Sequence, residues 1–210
     1  MKNIAIFTHQ PLCSKESARG IKKSLNKYNF INFGAKKLKN DFFDNIDMVV
    51  FPGGIGDATK FYEVMEENGE KVVDFVKNGG KYLGICMGAY WAGKDYFNIA
   101  PKVKIQQYIT RPNSQTHRPH PKSMPITWGG VEDEMFFYDG PTMVGGNQEV
   151  IATYPNKDPM ATIVNKNVGL IGCHPESEKV WFEYYSWLNG KYHQGRHHKI
   201  LESFVDKLIQ

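Results

Sequence analysis

The sequence predicts an α/β fold: one domain over residues 1–210, with a mostly parallel sheet flanked by helices and an antiparallel β-rich insertion over about 97–165. Three observations carry that expectation. Short apolar runs alternate with segments of helical periodicity through the first hundred residues. The runs are continuously apolar rather than alternating, as strands buried on both faces are. After about Phe97 the pattern changes to short β-like pieces separated by Pro, Gly and Asn. A chain of 210 residues, 41% hydrophobic and 23% charged, suits one compact unit that buries roughly 70% of its unfolded surface.

Residues 4–7 are apolar and end in Thr8-His9, which marks a first strand, and Ala18, Ile21 and Leu25 at helical spacing make 14–28 a helix. Residues 29–33 read as a short strand and 46–51 as a stronger one, stopped by Pro52-Gly53-Gly54. Helical segments follow at 58–68 and 70–77, the second carrying Val72, Val73, Phe75 and Val76 before an Asn78-Gly79-Gly80 stop. Residues 81–85 are a strand that runs through Cys86 into a helical 87–92. Within the insertion, strands are expected at 103–109, 124–128, 135–138, 150–154 and 161–164. A last strand at 168–173 precedes closing helices at 176–188 and 198–209.

Composition excludes several function classes. Lys and Arg number 26 against 22 Asp and Glu, a net +4 with the lysines scattered, so nucleic acid is not an expected partner. The N-terminal Ile4-Ala5-Ile6-Phe7 run is too short for a signal-peptide core of about seven residues or more. The richest apolar run, Met48-Val49-Val50-Phe51, falls far short of the roughly 18 residues of a membrane span. Cys13, Cys86 and Cys173 are odd in number and far apart, which gives neither a disulfide framework nor a CxxC metal pair. Free thiols in a cytoplasmic protein, with no membrane partner, are the expectation.

In parallel sheets the reactive groups gather at the carboxyl ends of strands, which directs attention to residues 52–56, 84–88 and 172–176. Gly84-Ile85-Cys86-Met87-Gly88 has the spacing of a nucleophile elbow, whose glycines permit a tight strand-to-helix turn that presents the central side chain. Cys86 is then the nucleophile, favoured by the helix dipole, with the Met87 N–H aimed at an oxyanion. The bland alternative is a buried cysteine in a glycine-flanked turn.

A cysteine nucleophile needs a base, and His174 ends the last expected strand. Glu176 would orient it, because residues i and i+2 of extended backbone project to one side. The alternative is that His174-Pro175 merely ends a strand. His9, His193, His197 and His198 lie in polar or helical segments with no comparable setting. Gly53 and Gly54 are either a loop exit or a close backbone approach to substrate, with Gly54 giving a second oxyanion N–H. No Walker lysine follows them, so a phosphate-binding loop is not expected.

Together these pieces resemble the class I glutamine amidotransferase-like superfamily, whose flavodoxin-like fold carries a Cys-His-Glu triad on an elbow and an H-P-E motif. The matching residues are Cys86 and His174-Pro175-Glu176. Residues 79–93, 126–130 and 168–176 are most similar to the biotin-protein ligase N-terminal-like branch. The resemblance implies attack of the Cys86 thiolate on a γ-carboxamide, release of ammonia and hydrolysis of a γ-glutamyl thioester, with no cofactor and no metal. It implies a small-molecule amide substrate, glutamine or a γ-glutamyl compound, and a separate synthetase partner that accepts ammonia. Protein biotinylation is not implied, since no ligase domain with a biotin site is recognised in the chain. Three competitors stand beside this reading. A γ-glutamyl hydrolase needs no partner. A ThiJ/PfpI-like protein often has a carboxylate after its first strand, where this chain has Phe7-Thr8-His9-Gln10. The third is a non-catalytic binding or scaffold domain that retains the triad.

Other constellations have simpler explanations. His117 and His120 are three apart, but Pro119 and Pro121 prevent a helix that would place them on one face, so no metal site is expected. The basic stretch Arg111, His117, Arg118, His120 and Lys122 either covers the active site or, more simply, is a solvated loop. Residues 192–199 read as a linker into an amphipathic helix with Ile200, Leu201, Phe204, Val205 and Leu208 inward. Trp181, Phe182, Tyr184, Tyr185 and Trp187 are read first as core packing and second as a dimer contact.

Overall fold

Apolar runs of four and five residues form the middle of a nine-stranded mixed sheet, in a computed structural model that describes residues 1–9, 15–34, 38–39, 41–54, 57, 59, 63–65 and 68–210. The expected helix at 58–68 falls largely outside the described residues, as do Cys13, Ile55 and Gly56. The strands are β1 (Asn3–Phe7), β2 (Asn29–Phe33), β3 (Met48–Phe51), β4 (Lys81–Ile85), β5 (Lys104–Gln107), β6 (Lys122–Trp128), β7 (Val131–Phe137), β8 (Pro141–Val144), β9 (Gln148–Thr153), β10 (Pro159–Val164) and β11 (Val168–Ile171). The described helices are α1 (Lys15–Ser24), α2 (Gly69–Lys77), α3 (Met87–Trp91), α4 (Lys179–Glu183) and α5 (Arg196–Ile209). The order across the sheet is β2-β1-β3-β4-β11-β10-β9-β6-β7. Strands β2 through β11 in that order run parallel, and the remainder pair antiparallel.

Side-chain alternation explains why the central strands are apolar throughout. Ile4, Ile6, Val50, Leu83 and Ile85 face one layer, where they pack with Ala18 and Ile21 of α1 and with Leu201, Phe204 and Val205 of α5. Their neighbours Ala5, Phe7, Val49, Phe51 and Tyr82 face the other, against Val72 and Val76 of α2 and Trp91 of α3. Each fully buried aliphatic or aromatic side chain here contributes about 1.5–3 kcal/mol. A polar residue on either face would forfeit that and add a desolvation cost. The edge strand β2 is largely solvated, with Phe33 buried at its end.

The antiparallel part differs from expectation in detail. The expected 103–109 strand is β5 followed by a 3-10 turn, Tyr108–Thr110, because the buried Tyr108 ring turns inward to stack on Tyr154 with centroids 3.8 Å apart. The expected 135–138 strand is the end of a longer β7, and β8, opening with a proline, had no strand-like signal. Strands β5 and β8 pair with each other in a separate small sheet, while β10, β9, β6 and β7 extend the main one. The expected 176–188 helix resolves into α4 and a 3-10 turn at Ser186–Leu188. Residues 174–177 instead form a turn, closed by the Ser177 N–H donating to the His174 carbonyl at 3.2 Å. Among the described residues, no helix is long and apolar enough to cross a membrane.

Candidate active site

The adjacency of β4 and β11 brings the two motifs together. Ile85 is in register with Ile171, and the Cys86 N–H donates to the Ile171 carbonyl at 2.8 Å. Cys86 then leaves the strand with φ 50° and ψ −104°, a region that a non-glycine residue occupies only where its surroundings enforce it. The flanking glycines are the enforcement. A Cβ on Gly84 would overlap the Gly88 carbonyl, and one on Gly88 would overlap the Phe51 carbonyl of β3. With neither present, α3 starts directly above the sheet and Cys86 sits 7% exposed, its Sγ–H directed at the Tyr138 carbonyl 3.7 Å away.

His174 faces that thiol from the end of β11. Its Nδ1–H donates to Glu176 Oε1 at 2.9 Å, which leaves Nε2 for Cys86. The ring is held edge-on by Phe136 and Trp181, with centroids 5.9 and 5.3 Å away. Burial alone would pull the imidazolium pKa down, but the Glu176 charge and the Cys86 sulfur outweigh it and hold His174 well above its ordinary value. Glu176 is fully buried, and it takes a second bond on the same oxygen from the Ser17 hydroxyl at 2.6 Å. Its Oε2 has no hydrogen-bond partner among the described residues.

The His174-to-Glu176 contact therefore exists, though not for the reason offered by strand alternation. The two residues lie in the 174–177 turn, which folds the carboxylate back under the ring. That turn is secured from behind by histidines that sequence reasoning left in a polar linker. The Ser177 carbonyl accepts from His193 Nε2–H at 2.8 Å and His198 Nε2–H at 3.2 Å. His193 Nδ1 accepts the His197 N–H at 3.3 Å, so both ring nitrogens are used by a neutral imidazole. Burial accordingly pushes the His193 pKa down to about 3 and lowers that of His197. His197 in turn meets Asp133, which Arg196 grips with two bonds of 2.6 and 3.0 Å. Burial would raise the Asp133 carboxyl, but these donors bring it to about 2.

Ser17 is the site residue that sequence reasoning missed. It occupies the buried face of α1 and bridges two motifs, donating to Glu176 while its Oγ accepts the Gly53 N–H at 3.1 Å. The available signal was a small hydroxyl four residues before Ile21, on the same helical face. Gly53 also has a steric role, because a Cβ there would lie 2.7 Å from His174 Cε1.

Cys86, His174, Gly53, Gly54 and Met87 all line one cavity of about 720 Å³. Its walls are aromatic, with Tyr90, Tyr96, Phe136, Tyr138, Trp181, Tyr184 and Tyr185, and its polar lining includes Glu16, Asp57, Gln107 and Asp139. Trp181, Tyr184 and Tyr185 thus belong to the site as well as to packing. The basic stretch does not line it. Arg111 pairs with Asp158 at 2.7 Å, His117 bonds to Ser114 and the Ile109 carbonyl, and His120 lies against Trp187. Cys173 is fully buried, and burial pushes its thiol well up, away from reactivity. A second cavity of about 670 Å³ opens at the amino ends of the strands, and its described lining contains no Cys, Ser or Thr. Among the described residues, no group of three or more His, Cys, Asp or Glu is arranged to hold a metal ion.

A family model described as "Biotin-protein ligase, N terminal" matches residues 3–107, half of the chain. The match contains Cys86 but ends before His174 and Glu176. A probable cobyric acid synthase of Methanocaldococcus jannaschii is 37% identical over 65 residues, a stretch that covers 30% of this chain and 13% of that protein. Solved structures share the whole fold at low identity. PurLQS of Thermotoga maritima superposes with a TM-score of 0.65 at 14% identity, over 99% of both chains. A glutamine amidotransferase of the same organism gives 0.64 at 12%, over 99% of this chain and 96% of that one. A putative GMP synthase subunit of Thermoplasma acidophilum gives 0.60 at 14%, over 99% and 94%. The fold is therefore the one that glutamine amidotransferases have.

Proposed function

This chain belongs to the biotin-protein ligase N-terminal family, and from that premise we propose that it is a cysteine-dependent amide hydrolase or glutamine amidotransferase-like enzyme built as one domain. One observation carries the reading. Cys86 stands on a sterically enforced elbow facing His174, whose other nitrogen is tied to the buried Glu176 at 2.9 Å.

The Cys86 thiolate attacks the amide carbonyl, and the backbone N–H groups of Gly54 and Met87 receive the oxyanion that forms. Collapse of this intermediate breaks the C–N bond as the His174 imidazolium passes its proton to the departing nitrogen. A thioester on Cys86 and an amine or ammonia result. Water, deprotonated by His174, then attacks the thioester, and a carboxylic acid leaves as the thiolate returns. Glu176 keeps the His174 proton on Nδ1 throughout and offsets the imidazolium charge. Where ammonia is the product, a separate synthetase consumes it; likeness to a chain named as belonging to a GMP synthase supports that partner. Hydrolysis of a larger γ-glutamyl-type amide without any partner is the second reading, favoured by the breadth of the 720 Å³ cavity.

Intact-mass analysis after treatment with iodoacetamide, beside the glutamine mimic 6-diazo-5-oxo-norleucine, tests this on wild type and Cys86→Ala. Labelling that disappears in Cys86→Ala is the expected result, and an unlabelled Cys86 in the folded protein overturns the nucleophile. Reaction with the glutamine mimic favours the amidotransferase reading. Reaction with iodoacetamide alone keeps the reactive cysteine and moves the substrate away from glutamine-like amides.

A further inference from the structure

Helix α1 is clamped onto the segment that carries His174 and Glu176. Arg19 Nε–H and the Lys23 ammonium donate to the two carboxylate oxygens of Glu178 at 2.8 and 2.9 Å. At Gly20 the helix backbone lies so close to Glu176 that a Cβ would overlap the Glu176 carbonyl. Ser17 stands about one turn earlier on the same buried face and is fully buried itself. Its hydroxyl proton goes to Glu176 Oε1 at 2.6 Å, the oxygen that also accepts His174 Nδ1–H. Its oxygen receives the Gly53 N–H at 3.1 Å. A hydroxyl that donates to a carboxylate is polarised into a better acceptor, so the two bonds strengthen each other.

The bond to Gly53 decides what the loop after β3 can offer an oxyanion. Pro52 has no N–H, and the Gly53 N–H is turned to Ser17. The Gly54 N–H is then the first that the loop can bring to the cavity, which Gly54 lines beside Cys86 and Met87. Gly53 is held from the other side by the imidazole, since a Cβ there would lie 2.7 Å from His174 Cε1.

We propose that Ser17 is a positioning residue that ties the oxyanion loop to the His174–Glu176 pair: it seats Glu176 Oε1 for His174 and, by holding the Gly53 N–H, makes the Gly54 N–H the oxyanion donor of this loop. The proposal rests on Cys86 being the nucleophile. It makes acyl transfer to Cys86 depend on Ser17 more steeply than thiolate formation does.

Two reagents separate those steps. Iodoacetamide alkylates the Cys86 thiolate by displacement of iodide and forms no oxyanion. 4-Nitrophenyl acetate is attacked at its carbonyl, passes through an oxyanion and gives S-acetyl-Cys86 with release of 4-nitrophenolate. Rates at Cys86 are read by intact mass, with the background of the matching Cys86→Ala protein subtracted. Both rates belong to the same folded population, so a loss of stability cancels from the acylation-to-alkylation ratio. Ser17→Ala should slow alkylation, through Glu176 and His174, and should slow acylation by about a further tenfold. Ser17→Thr, which keeps the hydroxyl, should hold the ratio within about twofold of wild type. Where Ser17→Ala does not fold, Ser17→Cys, similar in size but a weak donor and acceptor, should lower the ratio by about threefold or more. An unchanged ratio in Ser17→Ala (or in Ser17→Cys in its place), or an equal fall in Ser17→Thr, overturns the proposal and leaves the nucleophile standing. So does a wild type that iodoacetamide labels and 4-nitrophenyl acetate does not. A wild-type Cys86 that neither reagent labels overturns both.

Discussion

Glu176→Gln separates the chemistry of the site from its packing. Glutamine has the same shape, so its amide oxygen can still accept from His174 Nδ1–H and the Ser17 hydroxyl, the two bonds that Glu176 Oε1 accepts at 2.9 and 2.6 Å. The amide nitrogen falls where Oε2 already lacks a partner, so the part of the folding cost that does not depend on charge is about 1–3 kcal/mol. What disappears is a full charge beside a buried imidazolium. At a charge separation of about 4 Å and an effective dielectric constant of about 20, that pair is worth about 4 kcal/mol, or about three pKa units. Burial, which already opposes the imidazolium, is then left with less to counter it.

The sign follows from linkage. The folded His174 pKa lies above its unfolded value, so the ion pair stabilises the fold fully below about pH 6.5 and loses that contribution as pH rises through the folded value. Glu176→Gln should therefore lose most stability near pH 6 and converge with wild type in strong base. Iodoacetamide labelling of Cys86 at pH 7 should slow by more than about tenfold, because a neutral imidazole no longer draws out the thiolate. Urea unfolding at several pH values and labelling rates from pH 5 to pH 10 measure both. A variant that labels at the wild-type rate, with an unmoved pH profile, would falsify the assignment of Glu176 as the group that sustains His174.

Further expectations follow from the same geometry. Ser17→Ala removes a charge-assisted bond and leaves the buried Gly53 N–H without its acceptor, so the urea midpoint should drop by the equivalent of about 2–3 kcal/mol at constant m-value; a midpoint equal to wild type refutes the bridge. Gly53→Ala brings a methyl group to 2.7 Å from His174 Cε1. It should impair Cys86 labelling while circular dichroism stays native, and unimpaired labelling would show that the imidazole yields freely. Because the folded His193 pKa is depressed to about 3, its neutral form stabilises the fold above pH 6.5 and that stability is lost as pH falls towards 3. The slope should approach 1.4 kcal/mol per pH unit for this one group, and a flat urea-midpoint profile between pH 6 and pH 4 would contradict a buried neutral imidazole.

Several parts of the molecule were legible in the sequence because the determining interactions are local. The continuous apolar character of Val49–Val50 or Leu83 reflects burial on both faces of one strand. The Gly84-to-Gly88 spacing reflects a backbone turn that only missing Cβ atoms allow. His174-Pro175-Glu176 stood out in the sequence as a motif, and a turn, not strand alternation, brings the His174 and Glu176 side chains together. Other features depend on which strands become neighbours. Ser17 reaches Glu176 across 159 positions because the sheet order sets α1 beneath the end of β11. His193 and His198 close on Ser177 only once α5 has docked, and Asp133 arrives from β7. Asp139 lines the cavity in front of Cys86 from a loop that carries no motif. The sequence alone determined the central strands and the elbow at Cys86, since those follow from neighbours within a few residues. Tertiary structure decided how His174 and Glu176 are braced and what lines the cavity in front of Cys86, because both arise where segments distant in the chain desolvate one another.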